Sequence, residues 1–260
     1  MRSLPEIRAA LESCYAQFEA LCADLGDAEW QTRSLCPDWN VHEVVQHVTS
    51  IEAVMAGWLP QDDATPPPFE KAAKFLEGTD GPAVLVEKVR GVYDSRRADL
   101  GKLTTEDLQR PSWMPTGRGT YGRFLEIRVF DFWVHERDIS TPLGRKTDDS
   151  GLAAEIALAE VEGSIGYIVG KKVGLPDGKS LAIRLTGPIV REIDVRVDGR
   201  AQRVEHLEHP DATLATDSTT FIQLACGRID PQAQIDSGAV SWSGDDEIGD
   251  RAARNLRFTM

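Results

Sequence analysis

No apolar run in this chain of 260 residues approaches the roughly 20 needed to cross a bilayer as a helix, so no membrane-spanning helix is expected. The opening MRSLPEIRAALESC carries acidic residues where a secretory leader places its apolar core, which argues against export and makes the cytoplasm the expected compartment. Basic charge is scarce. Against 42 Asp and Glu stand 29 Lys and Arg, the formal net charge is -13, and no basic run is longer than two residues, as in Lys171-Lys172. Such a surface repels phosphates, so nucleic acid is not expected as a partner in the absence of a local basic stripe, and anionic membranes are disfavoured for the same reason. The four cysteines, Cys14, Cys22, Cys36 and Cys226, include no C-x-x-C pair, so neither a zinc ribbon nor a redox dithiol is indicated. Cys14 and Cys22 stand eight residues apart on a predicted helix, about 12 Å, too far for a disulfide. All four are expected to be buried, reduced thiols without a chemical role. A G-x-S-x-G turn and any Ser/His/Asp grouping are also missing, so no protein nucleophile is expected and no catalytic side chain is assigned.

What the sequence does contain is helical rhythm. Ile7, Leu11, Cys14, Phe18, Leu21 and Leu25 predict the core face of a first helix that Gly26 stops. Asn40 is placed to cap a second, with Val41, Val44, Val45, Val48, Ile51 and Met55 facing inward. The proline-rich PQDDATPPPFE reads as a long crossover. A third helix is expected from about residue 82 to 100, a loop over 101–120, and a fourth helix over about 121–139. Beyond TPLGRKTDDS, Ser150 opens a fifth helix running to about residue 175. The pattern then changes: SLAIRLTG and REIDVRVDG alternate with period two, RAQRVEHL and ATLATD read as further strands, and TTFIQLACGRID and EIGDRAARNLRF as closing helices. The expected architecture is an α-helical four-helix bundle over residues 1–145, followed by an α+β domain over 146–260 that begins with a linking helix.

One stretch breaks the apolar rule. RVFDFWVHERDI begins at Arg128 and would suit a buried helix, but Arg128, Asp131, His135 and Asp138 interrupt it at spacings of three, four and three. At about 100° per residue the four fall within about 80° of one another. A carboxylate and an imidazole at i and i+4 can hold one ion from a single helix. They can equally form an intrahelical ion pair that spares both an unpartnered burial. The second helix carries His47 between Val45 and Val48, near its core side. Facing helices of a bundle build metal sites from inward side chains, and two imidazoles with one carboxylate would leave zinc a fourth position open. His47 could otherwise be a core histidine bonded to a backbone carbonyl. Glu43, one turn before His47, is the leading substitute ligand although it reads as solvent-facing. His206 and His209 read as surface residues.

These residues resemble a known family. CPDWNVHEVVQHV, with Cys36-Pro37, Trp39 and His47, followed by EIRVFDFWVHERDI, with Arg128, His135 and Asp138, resembles the mycothiol-dependent maleylpyruvate isomerase family over most of residues 1–140. The resemblance implies a DinB-like four-helix bundle and a divalent metal, zinc foremost, held by His47, Asp131 and His135. Arg128 and Asp138 would orient those ligands. The family places glutamate where this chain has Asp131, one methylene shorter. The block from Asp211 to Phe258 resembles a sterol-carrier-type α/β domain, in which FIQLACGRI would line a tunnel or, more simply, fill a core. Arg228 would face the metal cleft or serve structurally.

The function implied is a metal-dependent, mycothiol-using transferase or isomerase acting on a small electrophile, with the metal-bound thiolate as nucleophile. Its partners would be a small-molecule thiol and that electrophile. The alternative is a non-catalytic, metal-stabilised protein that binds a ligand or lipid.

Overall fold

Ser3 and Glu6 exchange hydrogen bonds around the first turn of α1 (Leu4–Asp24), a capping box that satisfies amide groups no helix can satisfy alone. This is the computed structural model of the chain, and it describes residues 1–259. It divides into two compact units, Met1–Thr147 and the remainder from Asp148.

In the first unit, α1 buries Ile7, Leu11, Cys14, Tyr15, Phe18 and Cys22, while Leu21 and Leu25 lie half-buried rather than in the core. Asn40 caps α2 (Val41–Met55): its side chain accepts from the Glu43 amide and the Glu43 carboxylate accepts from the Asn40 amide. The segment expected to be a plain crossover holds a short helix, α3 (Glu70–Leu76), which begins only after the last proline because a proline ring is tolerated at a helix start and not inside one. α4 spans Pro82–Lys102. The expected loop at 101–120 contains an antiparallel hairpin, β1 (Pro111–Met114) and β2 (Gly117–Thr120), whose four-residue strands are too short to show a period-two pattern. Thr120 then caps α5 (Tyr121–Ser140) by accepting from the Arg123 amide.

Both α1 and α2 pack on α4 and α5, which makes the four long helices one bundle. At its centre Tyr15 stacks on Tyr93 at 4.9 Å, and Phe132 meets both rings and Phe18 edge-on. Pairs of this kind each add about 0.5–1.5 kcal/mol beyond the area they bury.

The second unit opens with α6 (Gly151–Gly163) and the single turn α7 (Ile165–Tyr167), which runs into a π-turn over 168–173. The sequence predicts one unbroken helix here. The break lets the backbone approach the sheet: a Cβ on Gly166 would lie 2.9 Å from the Ala201 carbonyl oxygen. Then follow β3 (Ser180–Thr186), β4 (Arg191–Asp198), β5 (Arg200–Val204), β6 (Ala212–Asp217), α8 (Ser218–Ala225), α9 (Pro231–Asp236), β7 (Val240–Gly244) and α10 (Asp246–Arg254). The sheet order is β5-β4-β3-β6-β7, antiparallel except for the parallel β3–β6 pair, so this is a mixed-sheet α+β unit. The helix α9 and the strand β7 were not anticipated.

Phe221, Ile222, Leu224, Ala225 and Cys226 are buried, so FIQLAC fills a core. The cavity beside it, about 140 Å³ and lined by Leu224, Ile229, Ala253 and Leu256 among others, is small against the 300–1,000 Å³ typical of ligand pockets. Arg228 donates to the Cys226 carbonyl. Among the described residues, no helix is long and apolar enough to cross a membrane.

Candidate metal centre

The apolar rhythm of α2 and α5 turns both helices toward the bundle interior and carries the polar stripe of α5 with it. The imidazoles of His47 on α2 and His135 on α5 lie 5.1 Å apart between ring centroids, almost perpendicular. Asp131, one turn before His135, has its Oδ1 atom 3.5 Å from the His135 Nε2. A donor atom from each of His47, Asp131 and His135 lies within 4.8 Å of the other two. A second possible set, sharing His135, comprises Cys36, His135 and Asp138.

The partners of His135 define its chemistry. Its Nδ1 lies 2.8 Å from the Asp138 Oδ2, and a carboxylate only accepts, so Nδ1 carries a proton and Nε2 lies toward Asp131. Burial opposes charging of the ring, but the adjacent Asp131 and Asp138 carboxylates outweigh it and lift the pKa to about 9. For Asp131, burial alone would push the carboxyl up. The Arg128 guanidinium and His135 overcome that and hold it well below the usual carboxylate range.

Arg128 leads to a network that sequence reasoning missed. Its Nη1 donates to the Asp131 Oδ2 at 2.8 Å and its Nε donates to the Glu52 Oε1 at 2.8 Å. The other Glu52 oxygen accepts from the Arg96 Nε and the Tyr15 hydroxyl, each at 2.8 Å. Glu52 is 0% exposed and Arg96 1%. Burial raises the Glu52 carboxyl, but the flanking arginines win and hold it below its ordinary value. Each ion taken from water costs several kcal/mol before pairing offsets it. The Nη2 atoms of Arg96 and Arg128 are buried with no acceptor among the described residues, which adds to that cost. The signal was there to read: Val45, Val48, Glu52 and Met55 continue one inward face, on which the sequence reading placed Ile51, and Ile51 is half-buried.

A tight turn brings an aromatic wall to the site. Ser34 and Cys36 hold the loop by hydrogen bonds, and Asp38 adopts φ 67, the one non-glycine residue with positive φ among those described. Trp39 is thereby set 4.8 Å from the His47 ring and 6.4 Å from the His135 ring. The Cys36 thiol, expected to be inert, lies beside His135 and Asp138. All four cysteines are buried and none forms a disulfide. His42, which the sequence reading passed over, is buried 2.7 Å from the Thr79 carbonyl and packs edge-on against Trp30, away from the cluster. Glu43 is exposed and committed to its cap, and His206 and His209 are exposed.

A helical bundle with inward histidines and carboxylates, joined to a mixed-sheet α+β unit, defines the class. The model of the mycothiol maleylpyruvate isomerase N-terminal domain matches residues 11–140, and that of the MDMPI C-terminal domain matches residues 155–251. The chain belongs to the mycothiol maleylpyruvate isomerase family. A crystal structure of the mycothiol-dependent maleylpyruvate isomerase aligns at TM-score 0.61 and 16% identity, covering 94% of this chain and 96% of that one. A histidine-to-alanine mutant of the enzyme aligns over the same shares at TM-score 0.60 and 15% identity. At such identities the likeness is one of fold. A UbiJ-SCP2 ubiquinone synthesis protein aligns with 38% of this chain and 95% of its own at 14% identity and TM-score 0.30, too low to bear on the fold. No curated protein matches significantly.

Proposed function

We propose that this protein is a metal-dependent, mycothiol-using isomerase or transferase acting on a small electrophile, with a divalent metal, zinc foremost, held by His47, Asp131 and His135. The observation that carries this is the convergence of two imidazole nitrogens and one carboxylate oxygen from facing helices to within 4.8 Å of one another. That donor set suits zinc and leaves room for one exchangeable ligand. Asp138 is wholly buried and already engaged at the Nδ1 of His135, which suits an orienting role and favours this set over the one containing Cys36. Membership of the family supports mycothiol as the thiol, and maleylpyruvate, named for the relatives, is the first electrophile to test.

A bound zinc ion would supply a Lewis acid that lowers the pKa of a thiol at the open position. The chain's own residues prepare the place. Asp138 keeps the Nδ1 proton of His135 and so presents the Nε2 lone pair once its proton is lost. Arg128 occupies one oxygen of Asp131 and leaves the other facing His135. Trp39 packs beside both imidazoles and supplies an apolar wall to the place.

The test is metal analysis of the purified protein with His47→Ala and His135→Ala, followed by addition of mycothiol to the cobalt-loaded protein. Each variant is expected to lose most of its metal. The thiol is expected to release about one proton per site and to produce a sulfur-to-cobalt charge-transfer band. Full metal retention in both variants would overturn the ligand assignment. An unchanged spectrum without proton release at saturating thiol would leave a metal-stabilised binding protein.

A further inference from the structure

Glu52 takes no part in the function just described, although three helices converge on it. It follows His47 by five residues on α2, which at about 100° per residue turns it well away from the cleft. Its two oxygens accept three hydrogen bonds, each 2.8 Å long: from Arg128 on α5, Arg96 on α4 and Tyr15 on α1. The Glu52 carboxylate is therefore fixed from every side of the bundle. Arg128 receives that order. A guanidinium is a rigid plane, so a bond that fixes Nε also fixes the direction of Nη1. Nη1 is the atom that holds the Asp131 Oδ2 at 2.8 Å, and this leaves Oδ1 as the oxygen nearest His135. Aspartate has only two side-chain torsions, so clamping one oxygen leaves the other little choice of direction.

We infer that Glu52 is a positioning residue for metal binding: acting through Arg128, it fixes which oxygen of Asp131 faces the two histidines, and at what angle. This rests on the assignment of His47, Asp131 and His135 as ligands. A carboxylate that merely neutralised two buried arginines would affect stability alone. A positioning carboxylate affects the affinity and geometry of the ion, and does so through Asp131.

The experiment uses the full-length protein, with zinc affinity measured by chelator competition and cobalt absorption spectra recorded for the wild type, Glu52→Gln, Asp131→Asn and the double variant. Glu52→Gln is expected to weaken zinc binding about 10- to 100-fold, the range typical of residues that orient metal ligands, and to shift the cobalt bands. Asp131→Asn is expected to weaken binding as well. The double variant should be little weaker than Asp131→Asn alone, because Glu52 has nothing to act on once the carboxylate is gone. Wild-type affinity in Glu52→Gln beside a weakened Asp131→Asn, or losses that multiply in the double variant, overturns the inference and leaves the ligand assignment standing. Wild-type affinity in Asp131→Asn overturns the assignment and this inference with it. If Glu52→Gln does not fold, Arg128→Lys decides: it retains the charge but cannot bridge both carboxylates as a rigid fork. A loss of about tenfold or more supports the relay, and wild-type affinity overturns it.

Discussion

His135 is gripped at both ring nitrogens, by Asp138 through Nδ1 and by Asp131 near Nε2. That grip determines how the metal-free protein responds to pH. The folded-state pKa is lifted from 6.5 to about 9, so the protonated ring stabilises the fold fully below about pH 6.5, and this contribution disappears as pH rises through 9. Thermal unfolding of the metal-free protein is expected to show a downward slope across that window, and His135→Gln should remove it. Over the same range zinc must displace the Nε2 proton, so affinity should climb by up to about tenfold per pH unit until near pH 9. Chelator competition between pH 6 and 10 checks this, and a flat profile would place His135 outside the ligand set.

Among the elements, α2 does the most with the least. Its first turn is closed by reciprocal Asn40 and Glu43 bonds, its middle carries His47, and its far end carries Glu52. Asn40→Ala is expected to lower stability by about 1 kcal/mol, the usual worth of a side-chain cap, with no change in metal stoichiometry. Glu43→Gln should leave zinc affinity at the wild-type value, because that carboxylate is spent on the cap and exposed to solvent. Denaturant unfolding and metal titration of the two variants check both statements. A loss of zinc in Glu43→Gln would make the carboxylate a ligand after all.

At the scale of the whole molecule, His47, Asp131 and His135, together with Arg128, Glu52, Arg96, Tyr15 and Asp138, all lie within Met1–Thr147. This unit has its own aromatic core and its own capped helices, the properties of a segment that can fold alone. A fragment of residues 1–147 is expected to bind zinc as tightly as the full chain. Zinc at about 1,000 times Kd should stabilise it by about 4 kcal/mol, and a fragment beginning at Asp148 should gain nothing. Thermal unfolding of the two fragments with and without zinc is the measurement.

The stripe on α5 was legible from residue spacing, because four ionisable groups at intervals of three and four share a face whatever surrounds the helix. The starts of α2, capped by Asn40, and of α5 at Tyr121 were legible for a similar reason: caps and periodicity are properties of neighbours in sequence. The resemblance to the family, carried by Cys36-Pro37, Trp39, His47, Arg128, His135 and Asp138, is shown by the family match. The hairpin β1–β2 and the helices α3 and α9 escaped because each is too short to establish a period, whereas β7 is as long as β5 and its Val240-Ser241-Trp242-Ser243 alternation was legible but passed over. Glu52 and Arg96 escaped for another reason. Each holds an inward position on its own helix, Glu52 between Val48 and Met55 and Arg96 between Tyr93 and Leu100. A lone charge on an apolar face looks like an interruption until its partner is known. That partner comes from a different helix, 44 residues away between Glu52 and Arg96 and 76 between Glu52 and Arg128. Local sequence determined where each helix runs and which face it buries. Which buried charge meets which was decided by helix packing, because an ion pair across a bundle depends on the relative rotation and register of two helices, and neither helix's sequence states these alone.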